Sequence, residues 1–128
     1  MHDGQIYYID FNGNKGSEIG SIHLGIIFTM ANVKNMVFCL PLTSPKEKHF
    51  KDTESFNNRN YNELKFKNLF YIEQTDSVAL LDQIRCISTF RLLNIYKDSN
   101  NNEVILNENC LKLIRYKIGK YINYILNK

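Results

Sequence analysis

Thr43, Ser44, Lys46 and His49 fall within one short run, Thr43-Ser44-Pro45-Lys46-Glu47-Lys48-His49, directly after the apolar segment Val37–Leu42. Two hydroxyls, an ammonium and an imidazole at the mouth of a rigid strand suit the holding of a phosphate. Pro45 stiffens the turn, and Lys48 adds a further cation. The plainer alternative is a strand that runs out into a solvated basic loop. Val37-Phe38-Cys39-Leu40 reads as a buried strand. Pro41 lacks an N–H, so that strand is expected to end at a sheet edge or a bulge.

The elements around this stretch are mostly strands. Gln5–Phe11 is β-rich and bounded by Gly4 and Asn12-Gly13-Asn14. Ser21–Thr29 alternates Ile22, Leu24, Ile26 and Phe28 against His23, Gly25, Ile27 and Thr29. Together with the central strand they predict a three-stranded meander. From Lys46 to about Asn62 the periodicity disappears, and so long an irregular connection is expected to be functional or disordered. Leu64–Glu73 reads as a strand, as does Ser77–Ile87, which puts Asp82, Ile84 and Cys86 on one face and Gln83, Arg85 and Ile87 on the other. Phe90–Tyr96 adds a turn and a last strand. At the C-terminus Asn107 caps a helix on which Leu111, Ile114, Ile118, Tyr121, Ile122 and Ile125 recur at helical spacing. Its cations Lys112, Arg115, Lys117 and Lys120 read as a solvated face. The expected architecture is mainly β with a C-terminal helix (α+β): a small barrel with a helix packed on it, one domain over residues 1–128.

Composition narrows the function classes. The chain has 128 residues, 44% of them apolar, and a net charge of +3, which permits an RNA partner without demanding one. No apolar run approaches the roughly 20 residues of a membrane span. No signal peptide is visible at the N-terminus, so a cytoplasmic location is expected. The three cysteines, Cys39, Cys86 and Cys110, sit in apolar patterns without metal-ligand spacing and read as small core residues in a reducing compartment. Neither metal nor other cofactor is expected.

Three stretches, Gly4–Phe11, Lys15-Gly16-Ser17-Glu18-Ile19-Gly20 and Ser77–Ile87, resemble in order and spacing the MazF/PemK toxin family, with Asp82-Gln83-Ile84-Arg85 the most specific part. The resemblance implies an SH3-like small barrel of the MazF/PemK/CcdB type, a homodimer, and a toxin of a toxin–antitoxin system. It implies a metal-independent endoribonuclease that cuts single-stranded RNA sequence-selectively, to 2′,3′-cyclic phosphate and 5′-hydroxyl ends, in a groove at the dimer interface that an antitoxin occupies. Pro41–Lys46 with His49 is also similar to the ToxN/AbiQ branch of the superfold, whose nucleases are held by a folded RNA. A protein antitoxin is the first expectation and an RNA antitoxin the alternative. In MazF-like toxins the second strand opens with an Arg-Pro pair, the Arg being catalytic; here His23 and Leu24 stand there. Arg is permanently charged, whereas His titrates near neutrality and serves as acid or base. On this resemblance the catalytic candidates are His23 for proton transfer, Thr43 and Ser44 to orient the phosphate, Lys46 to neutralise its charge and His49 as reserve acid/base. Lys15, Glu18 and Gln83 are candidates for holding RNA. A further alternative, given the missing Arg, is a catalytically weakened barrel that grips a protein target, as gyrase-binding toxins of this fold do.

Overall fold

The computed structural model describes residues 2–12, 21–30 and 34–127. Among the described residues, seven strands form an antiparallel sheet: β1 Ile6–Asp10, β2 Ile22–Thr29, β3 Met36–Thr43, β4 Leu69–Ile72, β5 Ser77–Leu80, β6 Arg85–Ser88 and β7 Leu92–Ile95. Their spatial order is β4-β5-β3-β2-β1-β7, with β6 pairing β3 outside that path. The three-stranded meander of β1, β2 and β3 is present, with Ile6 opposite Ile26 and Ile26 opposite Leu40. Among the described residues the path is open, running from an edge at β4 to an edge at β7, so these ladders do not close the expected barrel.

β3 is the spine of the sheet. Its first half, Met36–Cys39, pairs β6, and its end, Leu42–Thr43, pairs β5. Pro41 therefore sits in a central strand, not at an edge, but at the step between two neighbours, where neither β5 nor β6 faces it. The missing N–H costs little at such a gap. The same step corrects the reading of Ser77–Ile87 as one strand. A 3₁₀ turn at Leu81–Gln83 divides it, and the register against β3 shifts across that turn, from Leu42 opposite Ala79 to Cys39 opposite Arg85. Leu64–Glu73 is likewise shorter than expected: only Leu69–Ile72 is strand, and Leu64 makes an isolated bridge to Phe50.

Alternation along the strands fills two cores. Ile6, Ile26, Leu40, Leu42, Ile72 and Leu81 pack together on one face with Ile114 of the C-terminal helix. Ile9, Phe11, Ile27, Val37, Cys39 and Ile87 form the other. A Cβ at Gly25 would lie 2.5 Å from Ile9 Cδ1, so any larger residue there would have to displace the buried Ile9 side chain. Burial pushes the Cys39 thiol up to about 12, which keeps it inert. Cys86, by contrast, is exposed and not a core residue; its Sγ lies 3.5 Å from Met30 Sδ.

The excursion between β3 and β4 is ordered by caps. A 3₁₀ turn at Glu47–His49 leads to a short helix α1, Thr53–Asn57, whose N-cap Asp52 accepts from Ser55 N–H at 2.7 Å. Asn60 caps a further turn, Tyr61–Glu63. Lys65 N–H donates to His49 C=O at 2.8 Å and Lys51 N–H to Glu63 C=O at 2.9 Å, so the two arms are stitched together. Arg59 and the Tyr71 hydroxyl both donate to Asp76, at 2.9 and 2.7 Å, tying the excursion to the β4–β5 hairpin. Arg59, then Tyr71, holds the Asp76 carboxyl below the usual carboxylate range.

The long helix α2 spans Glu108–Leu126, and Asn107 caps it by accepting from Cys110 N–H at 2.8 Å. Ile114 is its one fully buried residue; Leu111, Ile118 and Tyr121 are half-buried against the first core. Ile122 and Ile125 keep the expected spacing but are exposed.

Candidate functional site: a cavity where two strands part

The ladder between β2 and β3 ends at Gly25 opposite Pro41. Carrying its register two residues further sets His23 across from Thr43. There β2 stays paired to β1, with His23 opposite Ile9, while β3 leaves toward β5, with Thr43 opposite Val78. Between the parting strands lies a cavity of about 420 Å3 lined by His23, Thr43, Ser44 and Lys46, with Tyr8, Ser77 and apolar side chains of β2 and β3. Its lining combines apolar side chains with the Thr43 and Ser77 hydroxyls from strands, the His23 imidazole from β2, and the Ser44 hydroxyl and Lys46 ammonium from the loop that follows β3. Such a mix of an apolar wall with a few convergent polar groups is what a small polar ligand needs.

Four of the five sequence-derived catalytic candidates thus meet in one cavity. The fifth, His49, is buried beneath the loop and does not line it. His49 Nδ1 accepts from Lys46 N–H at 3.0 Å, and His49 N–H donates to Lys46 C=O at 2.9 Å. To accept, Nδ1 must be unprotonated. Burial, reinforced by Lys48 and then Lys46, pushes the His49 imidazolium below its ordinary value of 6.5, so the ring is neutral where the bond needs it to be. His49 therefore bears on the cavity through the backbone of Lys46.

Gln83 stands apart. It ends the turn that divides β5 from β6, and its side-chain oxygen accepts from Arg85 at 3.1 Å; the Arg85 guanidinium also lies over the Phe11 ring at 5.0 Å. Lys15 and Glu18 lie outside the described residues.

Two lining residues escaped the reading of the sequence. Tyr8 is on the face of β1 that its pairing with Leu24 turns toward the cavity, is 40% exposed, and packs edge-on to Tyr96 at 5.9 Å. Ser77 begins β5 and donates from Oγ to Thr75 C=O at 3.1 Å. The alternation Ile6-Tyr7-Tyr8-Ile9 signals that one of the two tyrosines faces out, but only the ladder tells which. Among the described residues, no three His, Cys, Asp or Glu side chains gather as a metal-binding group. No helix among them is long and apolar enough to cross a membrane.

The seven-stranded antiparallel sheet of the described residues, followed by a C-terminal helix, fits one class: small β-toxins of the MazF and PemK type. A family model described as PemK-like, MazF-like toxin of type II toxin-antitoxin system matches residues 2–114, and the chain belongs to this family. Membership makes it a toxin whose partner is an antitoxin. A search of curated proteins gave no match.

Proposed function

We propose that the protein is an endoribonuclease that cuts single-stranded RNA with its own ionisable side chains, in the cytoplasm, and that its antitoxin is a protein that blocks the same cavity. The observation that carries this reading is the meeting of His23, Thr43, Ser44 and Lys46 around one cavity. RNA supplies its own nucleophile, so the enzyme needs a proton acceptor and donors for the charge on phosphorus. His23 takes the 2′-hydroxyl proton as the O2′–P bond forms and the P–O5′ bond breaks. The departing 5′-oxygen takes its proton from water, and the phosphate is left as a 2′,3′-cyclic diester. Thr43 and Ser44 hydroxyls donate to the non-bridging oxygens, and the Lys46 ammonium offsets their growing charge. Acid–base help of this kind is worth about 10²–10⁴-fold and oriented donors a comparable factor. Tyr8 offers a ring on which the base beside the cut stacks. His49 is a positioning residue, acting through Lys46. Two copies pair as the resemblance implies, extending the cavity into a groove long enough to read a sequence.

One observation favours a second reading. His23-Leu24 replaces the Arg-Pro pair of MazF-like toxins, and loss of a fixed charge suits a toxin that has given up cutting and grips a protein target. Induction in a bacterial host separates the two. Growth arrest with fragmented cellular RNA supports the nuclease; arrest with intact RNA supports the protein-gripping toxin and refutes our reading.

A further inference from the structure

A second groove shares no lining residue with the cavity. The 61–69 segment and the C-terminal half of α2 enclose about 670 Å3, within the range of about 300–1,000 Å3 typical of ligand sites. Four ammonium groups line it: Lys65 and Lys67 from the segment, Lys117 and Lys120 from the helix. No carboxylate is among the lining residues. The segment's one acidic side chain, Glu63, is bridged to Lys51 at 3.5 Å, and α2 carries no Asp or Glu after Glu108. One carboxylate stands close by: Asp82 accepts from Asn68 Nδ2 at 2.9 Å, and after burial it is what pushes the Tyr121 hydroxyl up; against it, four ammonium groups leave a surplus of positive charge that favours an anion.

The groove is aromatic as well as basic. Tyr61 and Phe66 line it while 62% and 54% exposed, and Tyr124 faces them from the helix. Lys67 Nζ sits 4.3 Å from the Tyr124 ring centroid and Lys65 Nζ 5.7 Å from that of Phe66. Cations and flat rings alternate along one wall, and Lys117, Lys120 and Tyr124 repeat the alternation at three- and four-residue spacing on the other. Aliphatic side chains contribute only Leu64 and the buried Leu69, so the groove lacks the deep apolar sockets that anchor a peptide. Phosphates for the ammonium groups and π-faces for the rings are what a nucleic-acid single strand brings. The match to the toxin family ends at residue 114, ahead of the groove's helical wall of Lys117, Lys120 and Tyr124.

We propose that this groove is a second binding site for single-stranded RNA, holding the strand at a distance from the scissile bond; the proposal rests on the nuclease reading above for its biological use, but not for its test. The probe is a 5′-fluorescein oligouridylate of about 15 nucleotides, titrated by anisotropy at several salt concentrations. All variants carry His23→Ala, which leaves the RNA uncut. The combined variant K65Q/K67Q/K117Q/K120Q is expected to bind at least about tenfold more weakly at low salt, and to lower the slope of log affinity against log salt by about 0.7 per lysine removed. Phe66→Ala is expected to lose about tenfold with the salt slope unchanged, because stacking releases no counterions. Unfolding curves check that both variants remain folded.

Unchanged affinity in both variants overturns the proposal. So does unchanged RNA affinity with a loss of binding to an oligoglutamate peptide, which would make the groove a docking surface for an acidic protein. If the variants lose RNA but the parent with intact His23 cuts none, the groove stands and the nuclease reading falls. If the parent cuts RNA and the variants bind like the parent, the reverse holds.

Discussion

On the reading proposed above, the cavity between β2 and β3 and the groove beside α2 divide two tasks, cutting RNA and holding it. The cavity is small and chemically mixed, with the His23 imidazole and Thr43 hydroxyl on strands and the Ser44 hydroxyl and Lys46 ammonium on the loop after β3. The groove is larger, holds four ammonium groups among exposed rings, and has no histidine in its lining. One has what is needed to move a proton beside a phosphate. The other has only the means to hold a strand. They also differ in what fixes them: the cavity is framed by ladders that run through both cores, whereas the groove's helical wall depends on a helix with one fully buried residue.

If that division holds, substitutions should separate rate from affinity. The largest expected effect is on rate: His23→Ala or Thr43→Ala lowers single-turnover RNA cleavage by about 10²–10⁴-fold while oligouridylate affinity at the groove stays within twofold or so of the parent. Equal losses in both quantities would show that one site does both jobs.

Next comes the dependence of the groove on α2. Ile114→Ala removes the helix's buried anchor from the first core and is expected to cost about 2–5 kcal/mol, read by denaturant unfolding. Proteolysis or hydrogen exchange should show α2 opening ahead of the β1–β3 ladders. Simultaneous opening would mean that the helix is as firmly placed as the strands.

A smaller effect probes the loop under the cavity. The folded protein holds the His49 imidazole below its unfolded value of 6.5, so the unfolded chain binds the extra proton first as pH falls. The stability contributed by neutral His49 is therefore complete above about pH 6.5 and is lost as pH falls through its lowered folded value. His49→Gln should flatten this part of the curve of thermal midpoint against pH. An unchanged curve would place the titration elsewhere.

The smallest effect is expected at the Arg59–Asp76 pair, which is largely solvent-exposed. Asp76→Asn tolerates the left-handed backbone at this position, φ 45°, and should barely move the thermal midpoint, the more so at high salt.

Much of this fold is legible in the order of residues, for physical reasons that differ by element. β1, β2 and the start of β3 alternate because one face meets each core, and α2 announces itself by Asn107 and its apolar spacing. The division of Ser77–Ile87 is not legible: its apolar pattern runs on through Leu81 and Ile84, and the turn shows only in the register shift against β3. Nor does any local signal show that Lys65 and His49 are joined by a backbone hydrogen bond, so the excursion could not be told from an irregular loop. At the site, Thr43, Ser44 and Lys46 stood out by an abrupt change of residue type, and His23 by its place in the resemblance. Tyr8 and Ser77 reach the cavity through ladder registers set by residues far along the chain. Gln83 looked suited to RNA by type, yet its side chain is bonded to Arg85.

The most direct test of the central claim uses purified protein, a 5′-labelled single-stranded RNA and an excess of metal chelator, with the ends of the products identified. Cleavage that persists in chelator, leaves 2′,3′-cyclic phosphate and 5′-hydroxyl ends, and disappears with His23→Ala is the predicted result. Uncut RNA, 3′-hydroxyl ends, or cleavage that survives His23→Ala would contradict the account.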